Sequence, residues 1–327
     1  MLRTINLRVS ARAKSIAAII FKILISAVLV IYLVNRISVT KLIEAFDSLN
    51  YLFFSVGVLL SILNIYSQYI RWRYILKIQN TSVSKLDVIK SLFTGYSAGI
   101  ITPIRVGEYL GRKIPLKEFT VTEIITMTVL DKFSLLLNVV FWGGITSIFF
   151  LSFYYKVSYL IVSSLFVLFS FFFYLIFLLL FSKKFYLHIQ ERRKNIKVKF
   201  KVVHTIVQQI DKLESTSFLK LTSLALFNYI ILVVQFAFLV MTFESNGGYF
   251  YFILCSVLMF FAKTLVPSVT FGEIGIRESA SVYFLGIYGV SEAAAFNAAL
   301  MLFFLNLLLP SLIGLYFIIK SKFNFAS

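Results

Sequence analysis

Two short segments hold most of the residues able to do chemistry. Thr102 to Arg112 reads TPIRVGEYLGR and places Pro103, Arg105, Gly107, Glu108 and Arg112 within eleven positions. Pro267 to Ser279 reads PSVTFGEIGIRES and repeats the theme with Pro267, Glu273, Arg277 and Glu278. In each, a proline precedes a Gly-Glu pair and an arginine follows the glutamate by four positions. On a helix that spacing puts Glu108 with Arg112, and Glu273 with Arg277, on one face, where each pair can bridge. The chemistry on offer is anion recognition. A guanidinium presents a planar fork that matches phosphate oxygens, and a neighbouring carboxylate fixes its orientation. Arg105, Arg112 and Arg277 are therefore expected to converge on an anionic headgroup, with Glu108 and Glu273 orienting them. The plainer alternative is a pair of helix-start salt bridges, each worth a few tenths of a kcal/mol.

A third cluster, Asp131 and Lys132, falls inside a long apolar run. Sequence neighbours on a helix point about 100° apart, so these two should reach for different partners, plausibly in the two motifs. A charge at membrane depth costs about 2.5 to 3.5 kcal/mol on insertion scales and persists when paired or functional. A buried structural ion network with no substrate is the competing reading. Asn64 and Gln68 add polar groups to an earlier apolar run.

The elements that position these residues are hydrocarbon-compatible. Of 327 residues, 60% are hydrophobic and 17% aromatic, and mean hydropathy is +0.91. Soluble domains are about half apolar. Apolar runs of about 20 residues recur, enough to cross about 30 Å of hydrocarbon. They are continuous rather than alternating, which excludes a β-barrel. The fold class expected is an all-α polytopic membrane protein, a single transmembrane domain over 1–327. It has about eight spans, one or two broken or re-entrant helices and a possible internal duplication.

The spans expected are Ile16–Val34, Tyr51–Ile70, Val121–Phe153, Ser158–Phe181, Leu221–Phe243, Tyr249–Val266, a short Ser279–Gly289, and Ala293–Lys320 with Pro310 inside it. The first resembles a signal peptide in its charged flank, but it is too long and lacks a cleavage site, so it reads as an uncleaved span. Val88 to Ile104 is too short to cross and carries Gly95, Gly99 and Pro103. It reads as a re-entrant helix, tolerated only where protein or a water-filled cavity surrounds it. Ser279 to Gly289 is short enough to be a second such half-helix. In Arg71 to Tyr74 (RWRY), Trp72 suits an interface and the arginines suit lipid phosphates or the cytoplasmic side. The Phe-rich fourth span reads as lipid-facing.

The net charge of +18 is read as loop enrichment on the inner side of a membrane. It places both termini in the cytoplasm and the chain in the cell membrane. No basic-aromatic module suggests nucleic acid. Residues 182–220 form a basic cytoplasmic loop. Within it Val203, Ile206, Val207, Ile210 and Leu213 recur at helical spacing, as for an amphipathic helix on an anionic leaflet. A cell-envelope partner protein docking there is an alternative. Cys255 is the sole cysteine, so no intrachain disulfide or cysteine metal site forms. His188 and His204 read as solvated. No nucleophile-base pair, HExxH, phosphate loop or dinucleotide fingerprint appears, and neither a metal nor a cofactor is expected.

The ordered set RWRYILK (Arg71 to Lys77), TPIRVGEYLGR, Asp131-Lys132 and PSVTFGEIGIRES resembles the lysylphosphatidylglycerol synthase transmembrane-region family, also described as flippase-like membrane proteins. Two positions differ from the family's usual pattern. Leu135 stands where an acidic residue commonly does, and Glu273 stands where a glycine often does. The resemblance implies a lipid-handling membrane domain, in some members moving a modified phospholipid between leaflets. The chain ends at Ser327 without the soluble aminoacyl-transfer domain of two-part members, so synthesis of an aminoacylated lipid is not expected. The function expected is a flippase or binder of a phosphate-headgroup lipid, either a phospholipid or a polyprenyl-phosphate lipid. Its substrate contacts would come from Arg105, Glu108, Arg112, Asp131, Lys132, Glu273, Arg277 and Glu278. The alternatives are a membrane-embedded enzyme of glycolipid or polyprenyl-phosphate metabolism, or a noncatalytic subunit of a cell-envelope pathway.

Overall fold

The computed structural model describes residues 49–79, 83–102, 105–181, 215–244, 248–266 and 275–323, together with Thr40 and Glu44. The expected first span, most of the basic loop with its amphipathic helix, and Glu273 lie outside the described residues. Among the described residues every regular element is helical.

The elements are α1 (Tyr51–Ile78), α2 (Lys85–Ile101), α3 (Gly107–Gly111), α4 (Val121–Phe153), α5 (Tyr159–Phe181), α6 (Ser215–Phe243), α7 (Tyr249–Leu265), α8 (Ile276–Ile287), α9 (Glu292–Phe303), a π-turn (Phe304–Leu308) and α10 (Leu309–Phe323). Local chemistry sets several starts. Asn50 caps α1 by accepting from the N–H groups of Leu52 and Phe53. Thr120 and Glu123 form a reciprocal capping box on α4.

Five stretches are long and apolar enough to cross a membrane: α1, α4, α5, α6 and the joined α9–α10. Helices α7 and α8 have 17 and 12 residues. The count therefore resolves toward the shorter alternative, in which Ser279 to Gly289 belongs to a half-length helix.

Helix α1 packs along α6, and the two run antiparallel. Asn50 N–H donates to the Thr242 carbonyl, Gln235 donates to the Gly57 carbonyl, and Asn228 donates to Asn64. Each of these helices leads into a helical hairpin. In the first, α2 turns back as α3: Gly107 N–H donates to Thr102 Oγ1, Thr94 to the Gly111 carbonyl, and Ser91 to the Arg112 carbonyl. In the second, α7 pairs antiparallel with α8: Tyr251 stacks on Tyr288 with centroids 4.6 Å apart, and Cys255 Sγ donates to the Phe284 carbonyl. Because α1 and α6 are antiparallel, the hairpins that follow them enter from opposite ends of the bundle.

The packing has a matching exchange. The last helix, α10, covers the first hairpin, while α4 covers the second. Both contacts depend on small residues, as helix association in lipid commonly does. A Cβ on Gly314 would sit 1.9 Å from the Phe93 carbonyl oxygen, and one on Gly143 would sit 2.4 Å from Phe261 Cβ. Helix α5 is largely exposed, with only 6% of its apolar window buried, which suits hydrocarbon contact.

Pro310 explains the π-turn. Proline has no N–H to give the Leu305 carbonyl. Leu309 N–H bonds one residue further back, to Phe304, and the Ser61 hydroxyl of α1 takes the freed Leu305 carbonyl at 3.2 Å.

Candidate functional site

The first hairpin is held by its charges. Glu108 of α3 receives Arg105 at 3.0 Å, Arg112 at 2.8 Å and Lys132 at 2.8 Å. Asp131 of α4 receives Arg71 of α1 at 2.5 Å and Arg112 at 3.1 Å. Asp131 and Lys132 do reach different partners, as their angular separation requires, and both partners include residues of the first motif. Arg71, Glu108, Arg112 and Asp131 are buried. The network continues through neutral groups. Arg71 donates to Asn228, Asn228 and Gln68 donate to Asn64, and Tyr96 donates to Gln68. Five elements, α1, α2, α3, α4 and α6, are thereby joined.

Two sequence expectations change here. Arg71 and Trp72 are not interfacial: Trp72 is fully buried, and Arg71 is enclosed in the network. The Arg112 guanidinium lies 4.4 Å from the Trp72 ring centroid, a cation–π contact that fills the remaining face of Arg112. The reason is local. Glu108 and Asp131 sit at hydrogen-bond range behind α3, and a paired guanidinium is far cheaper to bury than a free one.

Closeness of α3 to α2 makes this pairing possible. A Cβ on Gly107 would lie 2.1 Å from the Ala98 carbonyl oxygen, and one on Gly111 would lie 2.4 Å from that of Thr94. At the tip, Arg105 has φ +56, a left-handed backbone uncommon outside glycine.

The second hairpin is held differently. Arg277 donates to Glu278 of the same helix, and Glu278 accepts from Gly275 N–H at 2.6 Å, closing the first turn of α8. Gly275 has φ +106, which L side chains rarely adopt. The Arg277 guanidinium also lies 5.4 Å from the Phe303 ring. The Glu273–Arg277 bridge expected from spacing lies outside the described residues.

The tips meet at a cavity of about 190 Å³. Arg105 comes from the first tip, and Lys263, Thr264 and Arg277 from the second. Lys132 of α4 joins them. Amides of Asn64, Gln68, Asn228 and Asn306 line one side, with the Tyr96 ring nearby. Leu135, Val139, Leu232 and Phe260 supply apolar wall. Among the described residues, no carboxylate lines it.

Of the sequence-chosen residues, then, Arg105, Lys132 and Arg277 come together at the cavity. Arg112, Glu108 and Asp131 stand behind it, engaged with one another, and Glu278 secures Arg277. The expectation that Arg112 would share the cavity is corrected by its saturation with two carboxylates. Sequence reasoning missed Lys263, Asn228 and Asn306. The signal was present in each as a lone polar residue inside an apolar run.

Among the described residues no cluster of three or more histidine, cysteine or acidic side chains could hold a metal. No curated protein matches the chain. The family model for the lysylphosphatidylglycerol synthase TM region matches residues 19–314. Together with the apolar helices, that match makes this a multi-pass integral membrane protein that acts on lipids, and the chain belongs to the lysylphosphatidylglycerol synthase transmembrane-region family.

Proposed function

We propose that the protein translocates, or holds for translocation, a lipid with a phosphate headgroup, taking the headgroup into the cavity between the hairpin tips and leaving the tails in the bilayer. The observation that carries this reading is the meeting of two hairpins, inserted from opposite ends of the bundle, at one cation-lined cavity. Sites between repeats with broken helices are how many transporters place a substrate near the membrane midplane. Arg105, Lys132, Lys263 and Arg277 would contact phosphate, and the amides would contact its ester and glycerol oxygens. The leucine, valine and phenylalanine wall suits the first methylenes of a tail. Glu108 and Glu278 would position Arg105 and Arg277. In this reading the termini face the cytoplasm, and Glu273, seven residues before the α8 carboxylate, belongs to the same tip.

The rival reading, a membrane-embedded enzyme, needs an acid or base at the site. Glu108 and Asp131 are each held by at least two cations, which disfavours that role for them.

The test is headgroup movement in reconstituted vesicles. Arg105→Ala and Arg277→Ala should each lower the rate by about tenfold, equal to about 1.4 kcal/mol. Wild-type rates in both would overturn the assignment. Turnover of a lipid in detergent, with a changed chemical product, would favour the enzyme.

A further inference from the structure

The charge around the cavity narrows the headgroup. The network and the cavity wall contain six cations: Arg71, Arg105, Arg112, Lys132, Lys263 and Arg277. Three carboxylates face them among the described residues: Glu108, Asp131 and Glu278. The surplus is concentrated at the cavity, because four of the cations line it and all three carboxylates stand behind. These groups lie on helices of a bundle sheathed in apolar side chains, where water screens little and an uncompensated charge is expensive. A ligand with one negative charge would leave most of the surplus standing. A ligand with two would remove more of it. A headgroup bearing an ammonium would place like charge beside Lys132 and Lys263.

Two further features agree. Arg277 is buried and lines the cavity, and its Nε has no hydrogen-bond partner among the described residues. A buried donor left unmatched costs free energy until an acceptor arrives. The cavity, about 190 Å³, is also smaller than the roughly 300 to 1,000 Å³ typical of drug-sized ligands. It suits a bare phosphate more than a phosphate extended by glycerol and an amino acid.

We propose, resting on the lipid reading above, that the cavity takes a phosphomonoester headgroup, which carries close to two negative charges at neutral pH, and discriminates against headgroups that carry a cation. The tail is the source of the phosphate's membrane residence, so the ligand is a lipid and not free phosphate.

The experiment is competitive binding to the purified full-length protein, with a fluorescent short-tail phosphatidate as probe. The competitors are unlabelled phosphatidate, phosphatidylglycerol, an aminoacylated phosphatidylglycerol and inorganic phosphate. Phosphatidate should compete at least about tenfold better than phosphatidylglycerol. The aminoacylated lipid should compete least among the lipids. Lys263→Gln and Arg277→Gln should each shrink the preference for phosphatidate. Lys263 is only partly buried, so its variant carries the test if the Arg277 variant fails to fold. Equal competition by phosphatidate and phosphatidylglycerol would overturn this inference and leave the lipid reading intact. Inorganic phosphate competing as well as phosphatidate would overturn both, assigning the cavity to the free anion. Failure of every lipid to bind would also overturn both.

Discussion

The two hairpins share a sequence theme and a position beside the cavity, yet they are secured by different physics. The first is fastened by charge across several helices: Glu108 and Asp131 gather Arg71, Arg105, Arg112 and Lys132 from α1, α3, α4 and the tip before α3. The second closes its arginine on the adjacent Glu278 and leans on α4 and α9 through small and aromatic side chains. The lesson is that a repeated Gly-Glu-Arg spelling does not fix a repeated role. Arg112 in the first motif is a structural cation, whereas Arg277 in the second lines the cavity.

The sharpest way to break that contrast is to remove the shared carboxylate. Asp131→Ala would leave Arg71 and Arg112 buried and short of a partner, a loss of about 3–5 kcal/mol. Little monodisperse protein should be recovered. Removing charge on both sides, as in Arg71→Met with Asp131→Leu, should recover part of that loss, because a missing pair costs less than a broken one. Comparable thermal midpoints for wild type and Asp131→Ala in detergent would contradict the structural role.

A smaller effect follows from the close approach of α3 to α2. Gly111→Ala drives a methyl group into the Thr94 carbonyl, so it should cost about 1–3 kcal/mol. It should also loosen the Glu108–Arg112 pairing, read as faster hydrogen exchange at the start of α4 and across α3. At the second hairpin, Lys263→Gln should move stability by no more than about 0.5 kcal/mol, as for a surface substitution, while still reducing lipid binding. A stability loss as large as that of Asp131→Ala would erase the distinction between the hairpins. The smallest change is Ser61→Ala. It strips the Leu305 carbonyl of its hydroxyl donor, for about 0.6 to 1 kcal/mol, and is measured by thermal unfolding.

Much of this architecture was legible in the sequence. Long apolar runs and their capping residues mark α1, α4, α5 and α6 to within a few positions, because hydrocarbon thickness imposes length directly. Gly95, Gly99 and Pro103 announced a broken helix, and the short 279–289 run hinted at its counterpart. What could not be read was which cations would be consumed internally. That depends on which carboxylate each helix rotation brings within 3 Å, and the pairing of α1 with α4 joins residues 60 positions apart. Arg71 and Trp72 look interfacial in sequence for the same reason: their partners Asp131, Ser91 and Arg112 are supplied by tertiary packing. Lys263 and Asn306 were visible as polar residues in apolar runs, but only the meeting of the hairpin tips gives them a common purpose.

The central claim is that the cavity between the tips holds a phosphate headgroup. Native mass spectrometry of the protein released gently from detergent tests it most directly, comparing wild type with the Arg105→Ala, Arg277→Ala double variant. The account predicts a retained phosphate-headgroup lipid on the wild type and its loss from a double variant that still elutes as a folded species. Equal lipid retention by both proteins, or a wild type that carries no lipid when phosphate lipids are supplied, would contradict it.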